Sequence, residues 1–251
     1  MLLSNRLALI TGASKGIGLA CLNSFITNGA TIIANSRDEN NLNNAIAGRD
    51  KIFPVLGNCA EEAIVDKFFD FSKKQFSKHP DIVIVNAAKG IWGTLLDSDI
   101  SEWKELIELN IFGSLLLMRK AALSMLAERE KGYQGALDIV VIGSTVGNNI
   151  PLQSSLYSAS KFAVNSAAES LRRELAPKLI RVTTISPGNT KTDFRKGFKG
   201  HLDPEFEKTE GQLGKLITGE DIANSILFTI SQPAHVHVHD MRIKTTSQTY
   251  P

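Results

Sequence analysis

Continuous apolar runs, each followed by a stretch with helical spacing, recur along the chain, and Ile82-Val83-Ile84-Val85 and Ile139-Val140-Val141-Ile142 are the clearest of them. A strand that is apolar at every position has to be covered on both faces, as the strands of a parallel sheet are. Strand-like runs occupy 6–11, 30–35, 52–57, 81–86, 137–143, 179–186 and 235–239, and helical patterns fill 17–28, 38–48, 61–78, 102–130, 156–176 and 219–231. Strand alternating with helix predicts an α/β fold, a doubly wound, mostly parallel sheet of the Rossmann type with helices on both faces. The 251 residues suffice for one core, and no linker, repeat or low-complexity segment divides them, so a single domain over 1–251 is expected.

In such sheets ligands bind beyond the carboxyl ends of the strands. The residues directly after each strand therefore carry the functional expectation. After the first strand stands Thr11-Gly12-Ala13-Ser14-Lys15-Gly16-Ile17-Gly18, followed by Leu19, Ala20, Leu22, Phe25 and Ile26 at helical spacing. Glycine removes the β-carbon that would hold backbone N–H groups away from an anion, and a helix N-terminus adds unpaired donors and a positive dipole end. Gly12, Gly16 and Gly18 thus suit a dinucleotide pyrophosphate, with Ser14, Lys15 and Ile17 beside it. The spacing is G-x-x-x-G-x-G instead of the commoner G-x-G-x-x-G, and three glycines alone fit a ligand-free turn equally well.

Tyr157 and Lys161 are four apart in a helical segment, which puts both on one face. A tyrosine with a pKa near ~10 keeps its proton at neutral pH, and a neighbouring ammonium stabilises the phenolate and brings it within range of acid/base work. Ser144 follows the apolar strand 137–143, where its hydroxyl would meet a substrate oxygen on which charge develops. Taken singly, each has a plain alternative: a core tyrosine, a solvated lysine, a serine in a turn.

Together with Asn110 in Leu109-Asn110-Ile111-Phe112-Gly113 and with Pro187-Gly188-Asn189-Thr190-Lys191-Thr192, these segments occur in the order and approximate spacing of the short-chain dehydrogenases/reductases, and the chain resembles that family from residue 6 to about 240. The resemblance implies a nicotinamide-dependent oxidoreductase that interconverts a carbonyl and an alcohol, similar to the carbonyl and 3-oxoacyl reductases. It implies Tyr157 as acid/base, Lys161 as the group that lowers its pKa and binds the nicotinamide ribose, Ser144 as the carbonyl-polarising hydroxyl, and Asn110 as holder of a water linking Lys161 to solvent. Pro187, Gly188, Thr190 and Thr192 would border the nicotinamide. Two departures stand out. Val85-Asn86-Ala87-Ala88 replaces the family's Asn-Asn-Ala-Gly, and Asn58, followed by Cys59, stands where an aspartate commonly meets the adenine.

Coenzyme choice is read from the end of the second strand, where an acidic residue would accept from a ribose 2′-hydroxyl. Here Ser36 and Arg37 follow Asn35, and Arg37 with Lys15 would hold a 2′-phosphate, so NADPH is favoured over NADH. Asp38 would reverse that preference if the strand ended one residue later. The substrate is expected against Leu95, Ser144, Thr145, Asn149, Tyr157, Gly188 and Phe194, beneath a lid formed by 193–217. Arg195, Lys196 and Lys199 in that lid are offset by Asp193, Asp203 and Glu205, which suits a solvated cover.

A net charge of +2 calls for neither nucleic acid nor an anionic membrane surface, and the apolar runs look too short to span a bilayer. The two cysteines, Cys21 and Cys59, lack metal-binding or disulfide spacing, and the N-terminal residues lack a signal-peptide pattern, so a cytoplasmic protein is expected. His235, His237 and His239 would share one face of a strand, yet no carboxylate or thiolate completes a site; no metal is expected, and a polar face or subunit contact fits them better. A homodimer or homotetramer follows from the resemblance. Two other functions stay open, a non-catalytic NADP(H)-binding redox sensor and an epimerase or dehydratase on the same fold.

Overall fold

The computed structural model describes residues 1–194 and 214–249. Seven parallel strands form one sheet in the order β3-β2-β1-β4-β5-β6-β9. These are β1 (Leu7–Ile10), β2 (Thr31–Ser36), β3 (Ile52–Leu56), β4 (Ile82–Val85), β5 (Asp138–Ile142), β6 (Arg181–Pro187) and β9 (Asp240–Ile243). A second, two-stranded piece pairs β7 (Thr190–Lys191) with β8 (Ile217–Thr218). The strand order reverses between β1 and β4, and a crevice opens there at the carboxyl ends of the strands.

The continuous apolar runs divide by alternation into two cores. Leu7, Leu9, Val83, Val85, Ile139 and Val141 face α3 (Glu62–Phe76), α5 (Ser114–Glu130) and α6 (Ser155–Leu175). Ala8, Ile10, Ile82, Ile84, Val140 and Ile142 face the other way, toward α1 (Gly16–Thr27), α2 (Glu39–Ile46) and α7 (Gly219–Ile230). The register Leu9↔Val83↔Ile139↔Val182 keeps each layer aligned across the sheet. A one-residue slip would exchange the two sets, so these pairings specify the register strongly.

At the amino ends of the strands, opposite the crevice, lies an ionic cluster. Arg181 donates to both carboxylate oxygens of Asp138 at 2.7 and 3.0 Å, and Arg6 donates to Asp138 at 2.8 Å and also to Asp81. Asp138 and Arg181 are 2% and 4% exposed, so these charges depend on one another for solvation.

Four sequence expectations change here. The helix expected over 102–130 begins at Ile100 as α4 (Ile100–Leu106), passes through a π-helical turn over Ile107–Gly113, and continues as α5. By length and composition this 31-residue helix could cross a bilayer, contrary to the reading of short apolar runs, but 61% of its most apolar window is buried in the protein. The last strand is Asp240–Ile243, not 235–239: a turn ends at His235 and residues 236–239 run beside β6 outside any strand, so the three histidines do not share a strand face. His237 Nε2 lies 3.0 Å from the Val182 carbonyl, its ring sits 6.0 Å from that of His239, and His235 is exposed. Finally, β2 runs one residue beyond Asn35 and ends at Ser36.

Candidate active site

The glycine loop forms the floor of the crevice. Gly12 adopts φ +65°, a left-handed conformation that side-chain-bearing residues rarely take. Gly18 is demanded by approach: a β-carbon there would lie 2.1 Å from the Gly12 carbonyl oxygen and 2.7 Å from Asn86 Nδ2. The first turn of α1 has no side-chain cap, so its donors face the loop. Asn86 ties the loop down from β4, its amide donating to the carbonyls of Thr11 at 2.8 Å and Gly12 at 3.3 Å. Thr11 Oγ1 accepts from the backbone N–H groups of Asn86 and Ala87 at 3.1 and 3.2 Å.

From that floor a cavity of about 540 Å³ extends across the strand ends, a volume typical of ligand sites. On one side its wall is Gly12, Ser14, Lys15, Gly16 and Ile17, then Ser36 and Arg37, then Cys59, with Asn86, Ala87 and Ala88 across from them. On the other side stand Ser144, Thr145, Tyr157 and Lys161, with Pro187, Gly188, Thr190, Thr192 and Phe194. The extra methyl group of Ala88 is thus accommodated at the wall. An uncapped helix start, a glycine that no β-carbon could replace and an elongated cavity reaching the tyrosine together fit a dinucleotide.

Lys161 is buried in the cavity wall, and its Nζ donates to the Ile142 carbonyl at 2.7 Å. Burial disfavours the ammonium and pulls its pKa down to about 8. Its Nζ lies 5.7 Å from the centre of the Tyr157 ring, and the Phe194 ring stands 5.6 Å from that ring between centroids. Ser144 closes a short turn, its hydroxyl accepting from Val146 N–H at 3.3 Å. One cavity therefore joins a hydroxyl, a phenol and a buried amine to an anion cradle.

A profile described as short chain dehydrogenase matches residues 6–202. The chain belongs to that family. Dehydrogenase/reductase SDR family member 11 from Bos taurus is 32% identical over 255 residues, which cover 97% of this chain and 97% of the relative. Among solved structures, the 3-ketoacyl-(acyl-carrier-protein) reductase of Brucella melitensis, complexed with NADH, matches with a TM-score of 0.85 at 26% identity over 98% of this chain and 99% of its own. The closed form of a serine dehydrogenase complexed with NADP+ has the same fold, with a TM-score of 0.85 at 24% identity over 97% of this chain and 96% of its own. The family's fold binds a nicotinamide coenzyme, and this short-chain dehydrogenase is an oxidoreductase by descent.

Some expected residues of this short-chain dehydrogenase lie elsewhere. Asn110 is 1% exposed and stands behind the cavity wall. The π-helical turn brings it to the loop after β4, where Oδ1 accepts from Lys89 N–H at 2.8 Å and Nδ2 donates to the Lys89 carbonyl at 2.8 Å and to Ser160 Oγ at 3.1 Å. Asn58 does not line the cavity, because its side-chain carbonyl accepts from Ala60 N–H at 3.2 Å at the head of α3. Leu95 is 61% exposed and Asn149 is exposed, and neither reaches the wall. Gly18 packs beneath the loop and does not face the cavity. Of the expected lid, residues 195–213, with Arg195, Lys196, Lys199, Asp203 and Glu205, lie outside the described residues.

The wall also includes Asp38, marked in the sequence only as a possible reversal of coenzyme preference, and apolar residues that the sequence had not marked. Asp38 lines it and caps α2, accepting from Asn41 N–H at 2.9 Å, while Lys15 Nζ stands 4.0 Å from its other oxygen. Asp38 follows β2 at a strand-to-helix junction, a place where an acidic cap is expected on local grounds. Ile91, Trp92, Val146 and Pro151 give the tyrosine end an apolar lining. A bridge between Gly93 and Ser154 brings two of the loops that carry them together, a long-range contact without a local sequence signal.

Proposed function

We propose that this protein is an NADP(H)-dependent oxidoreductase that interconverts a ketone or aldehyde and the corresponding alcohol, with Tyr157 as the acid/base. The supporting observation is that Ser144, Tyr157 and Lys161 share one cavity wall with the glycine loop. When bound, the coenzyme supplies or accepts the hydride. The loop from Gly12 to Ile17 and the start of α1 would hold its pyrophosphate, and Pro187, Gly188, Thr190 and Thr192, on the same cavity wall as Tyr157, would border its nicotinamide end.

In the reductive direction the Tyr157 hydroxyl donates its proton to the substrate oxygen while Ser144 Oγ hydrogen-bonds the same atom. In the oxidative direction Tyr157 takes that proton back. Lys161 works from beneath, where its ammonium favours the phenolate. Asn110 holds the loop after β4 against α6 through Lys89 and Ser160, which keeps the helix that carries Tyr157 and Lys161 in register with the glycine loop. Ile91, Trp92, Val146, Pro151 and Phe194 favour a substrate with apolar flanks around its carbonyl.

The NADP(H) preference rests on Arg37 and Lys15 at the ribose end of the cavity. Ser36 there has its hydroxyl 2.9 Å from Ser14 Oγ and accepts from Asp38 N–H at 3.1 Å. Although β2 ends later than expected, Asp38 is engaged as a helix cap and faces Lys15, which leaves Arg37 as the group suited to a 2′-phosphate. A homo-oligomer is proposed as well, since Phe112, Leu115, Leu123 and Phe162 are at least 40% exposed on α5, α6 and the π-helical turn before α5.

The test is coenzyme oxidation against a panel of ketones, aldehydes and diketones, with NADPH and NADH in parallel. Faster turnover with NADPH on at least one carbonyl is expected, and Arg37→Asp should move the preference toward NADH. Tight NADPH binding with no turnover on any carbonyl would favour the redox-sensor reading, and a coenzyme preference untouched by Arg37→Asp would overturn the 2′-phosphate assignment.

A further inference from the structure

Arg37 faces the cavity from the end of β2, but its guanidinium already has an anionic partner from a distant part of the chain. Its Nη1 donates to Glu105 Oε1 at 2.9 Å, and Glu105 lies on α4, 68 residues further on. The other oxygen of the same carboxylate accepts from Lys89 Nζ at 2.6 Å. Lys89 is held in turn by Glu102, at 3.1 Å, whose side chain is 6% exposed. Glu105 is thus a bridge between the coenzyme-facing Arg37 and an anchored lysine. The two cations hold its carboxyl down at about 2, so it is charged at any working pH.

A carboxylate and a phosphate use the same edge of a guanidinium, because each presents a pair of oxygen acceptors spaced to match its paired N–H groups. We propose that Glu105 is a coenzyme-selectivity residue, which competes with the 2′-phosphate for Arg37 and so limits how strongly the enzyme discriminates NADP(H) from NAD(H). The inference rests on the 2′-phosphate reading of Arg37 given above. Lys89 makes the competition persistent. When Arg37 turns to a phosphate, Lys89 keeps the Glu105 carboxylate within reach, placed to reclaim the guanidinium. Glu105 does not line the cavity, and it acts through Arg37 as a positioning group.

Arg37 and Glu105 are 53% and 46% exposed, so the pair is screened and its effect is modest. Releasing Arg37 should tighten binding of a 2′-phosphorylated nucleotide by roughly two- to fivefold, the range for an exposed ion pair. The experiment is calorimetric titration of the full chain with adenosine 2′,5′-bisphosphate and with adenosine 5′-monophosphate, which differ only in the 2′-phosphate. Wild type, Glu105→Gln, Arg37→Ala and the double variant are compared. Glu105→Ala repeats the measurement without a side chain able to hydrogen-bond Arg37, and thermal melts establish that each variant is folded.

The expected result is tighter bisphosphate binding in both Glu105 variants, a monophosphate affinity that stays at the wild-type value, and no gain when Arg37 is already alanine. If Arg37→Ala weakens the bisphosphate but neither Glu105 variant tightens it, the inference fails and the 2′-phosphate reading stands. An equal gain in the Arg37→Ala background would also overturn it, since the effect would then be a general field and not competition for Arg37. If Arg37→Ala leaves bisphosphate affinity unchanged, the 2′-phosphate reading itself falls, and this inference with it.

Discussion

Replacing Gly18 by alanine tests the construction of the anion cradle at a position where no conformational freedom is involved. A β-carbon at Gly18 would stand 2.1 Å from the Gly12 carbonyl oxygen, 2.8 Å from its carbonyl carbon and 2.7 Å from Asn86 Nδ2. Contacts below 3.0 Å are not sustained, so α1 and the Gly12 carbonyl would have to part by about 0.9 Å. Two of the three atoms are backbone and cannot rotate aside, and Asn86 is fixed by its own bond to Thr11. Overpacking of this kind costs about 1–3 kcal/mol of stability. The loop would also move relative to the start of α1, and displacement of that size at a site can weaken its function by about a hundredfold. Chemical denaturation and calorimetric titration with NADPH measure the two effects separately. A Gly18→Ala protein within about 0.5 kcal/mol of wild type, binding NADPH equally well, would refute the claim that this contact shapes the cradle.

Other consequences can be measured directly. Asp138→Asn leaves Arg181 and Arg6 facing a neutral group at a nearly dry site and should lower stability by about 3–5 kcal/mol in urea unfolding, with turnover per folded molecule retained because the cluster lies at the other end of the sheet; a loss under about 1 kcal/mol would show that the cluster is solvated. Lys161 has its folded pKa lowered by burial to about 8, so between pH 8 and the unfolded value of 10.5 the unfolded chain binds more protons and stability must rise with pH. Relative to Lys161→Met, wild type should gain up to about 3 kcal/mol across that window, fully present only above it, and parallel stability curves would contradict the burial of a titrating amine. Burial of Cys21 raises its thiol to about 12, so a thiol reagent should modify it only on unfolding, and rapid labelling of native protein at Cys21 would place α1 wrongly.

The doubly wound sheet was legible because strands covered on both faces leave unbroken apolar runs, and the two cores follow from alternation within those runs. The family resemblance, carried by Tyr157, Lys161, Ser144 and the glycine loop, pointed to the crevice whose wall these residues share. The π-helical turn at Ile107–Gly113 was not legible, since one residue of slip barely alters helical periodicity, yet that turn brings Asn110 to the Lys89 backbone. Alternation misled at His235 to Val238, because a period of two marks extended backbone whether or not it has joined a sheet. Asn58 resembled an adenine contact by position, but a short polar side chain has a nearer role in accepting from the backbone two residues on, here Ala60 N–H in the turn before α3. The tie between Arg37 and Glu105 could not be read locally at all, because it spans 68 residues and depends on where α4 meets the end of β2.

The central claim is that the Tyr157 phenol moves the substrate proton at a coenzyme held by the glycine loop. The most direct measurement is Tyr157→Phe, with NADPH affinity and carbonyl reduction determined on the same preparation. The account predicts NADPH affinity close to wild type and a loss of turnover of at least about a hundredfold, the contribution of a positioned acid. Turnover within a few-fold of wild type, with NADPH bound normally, would contradict it.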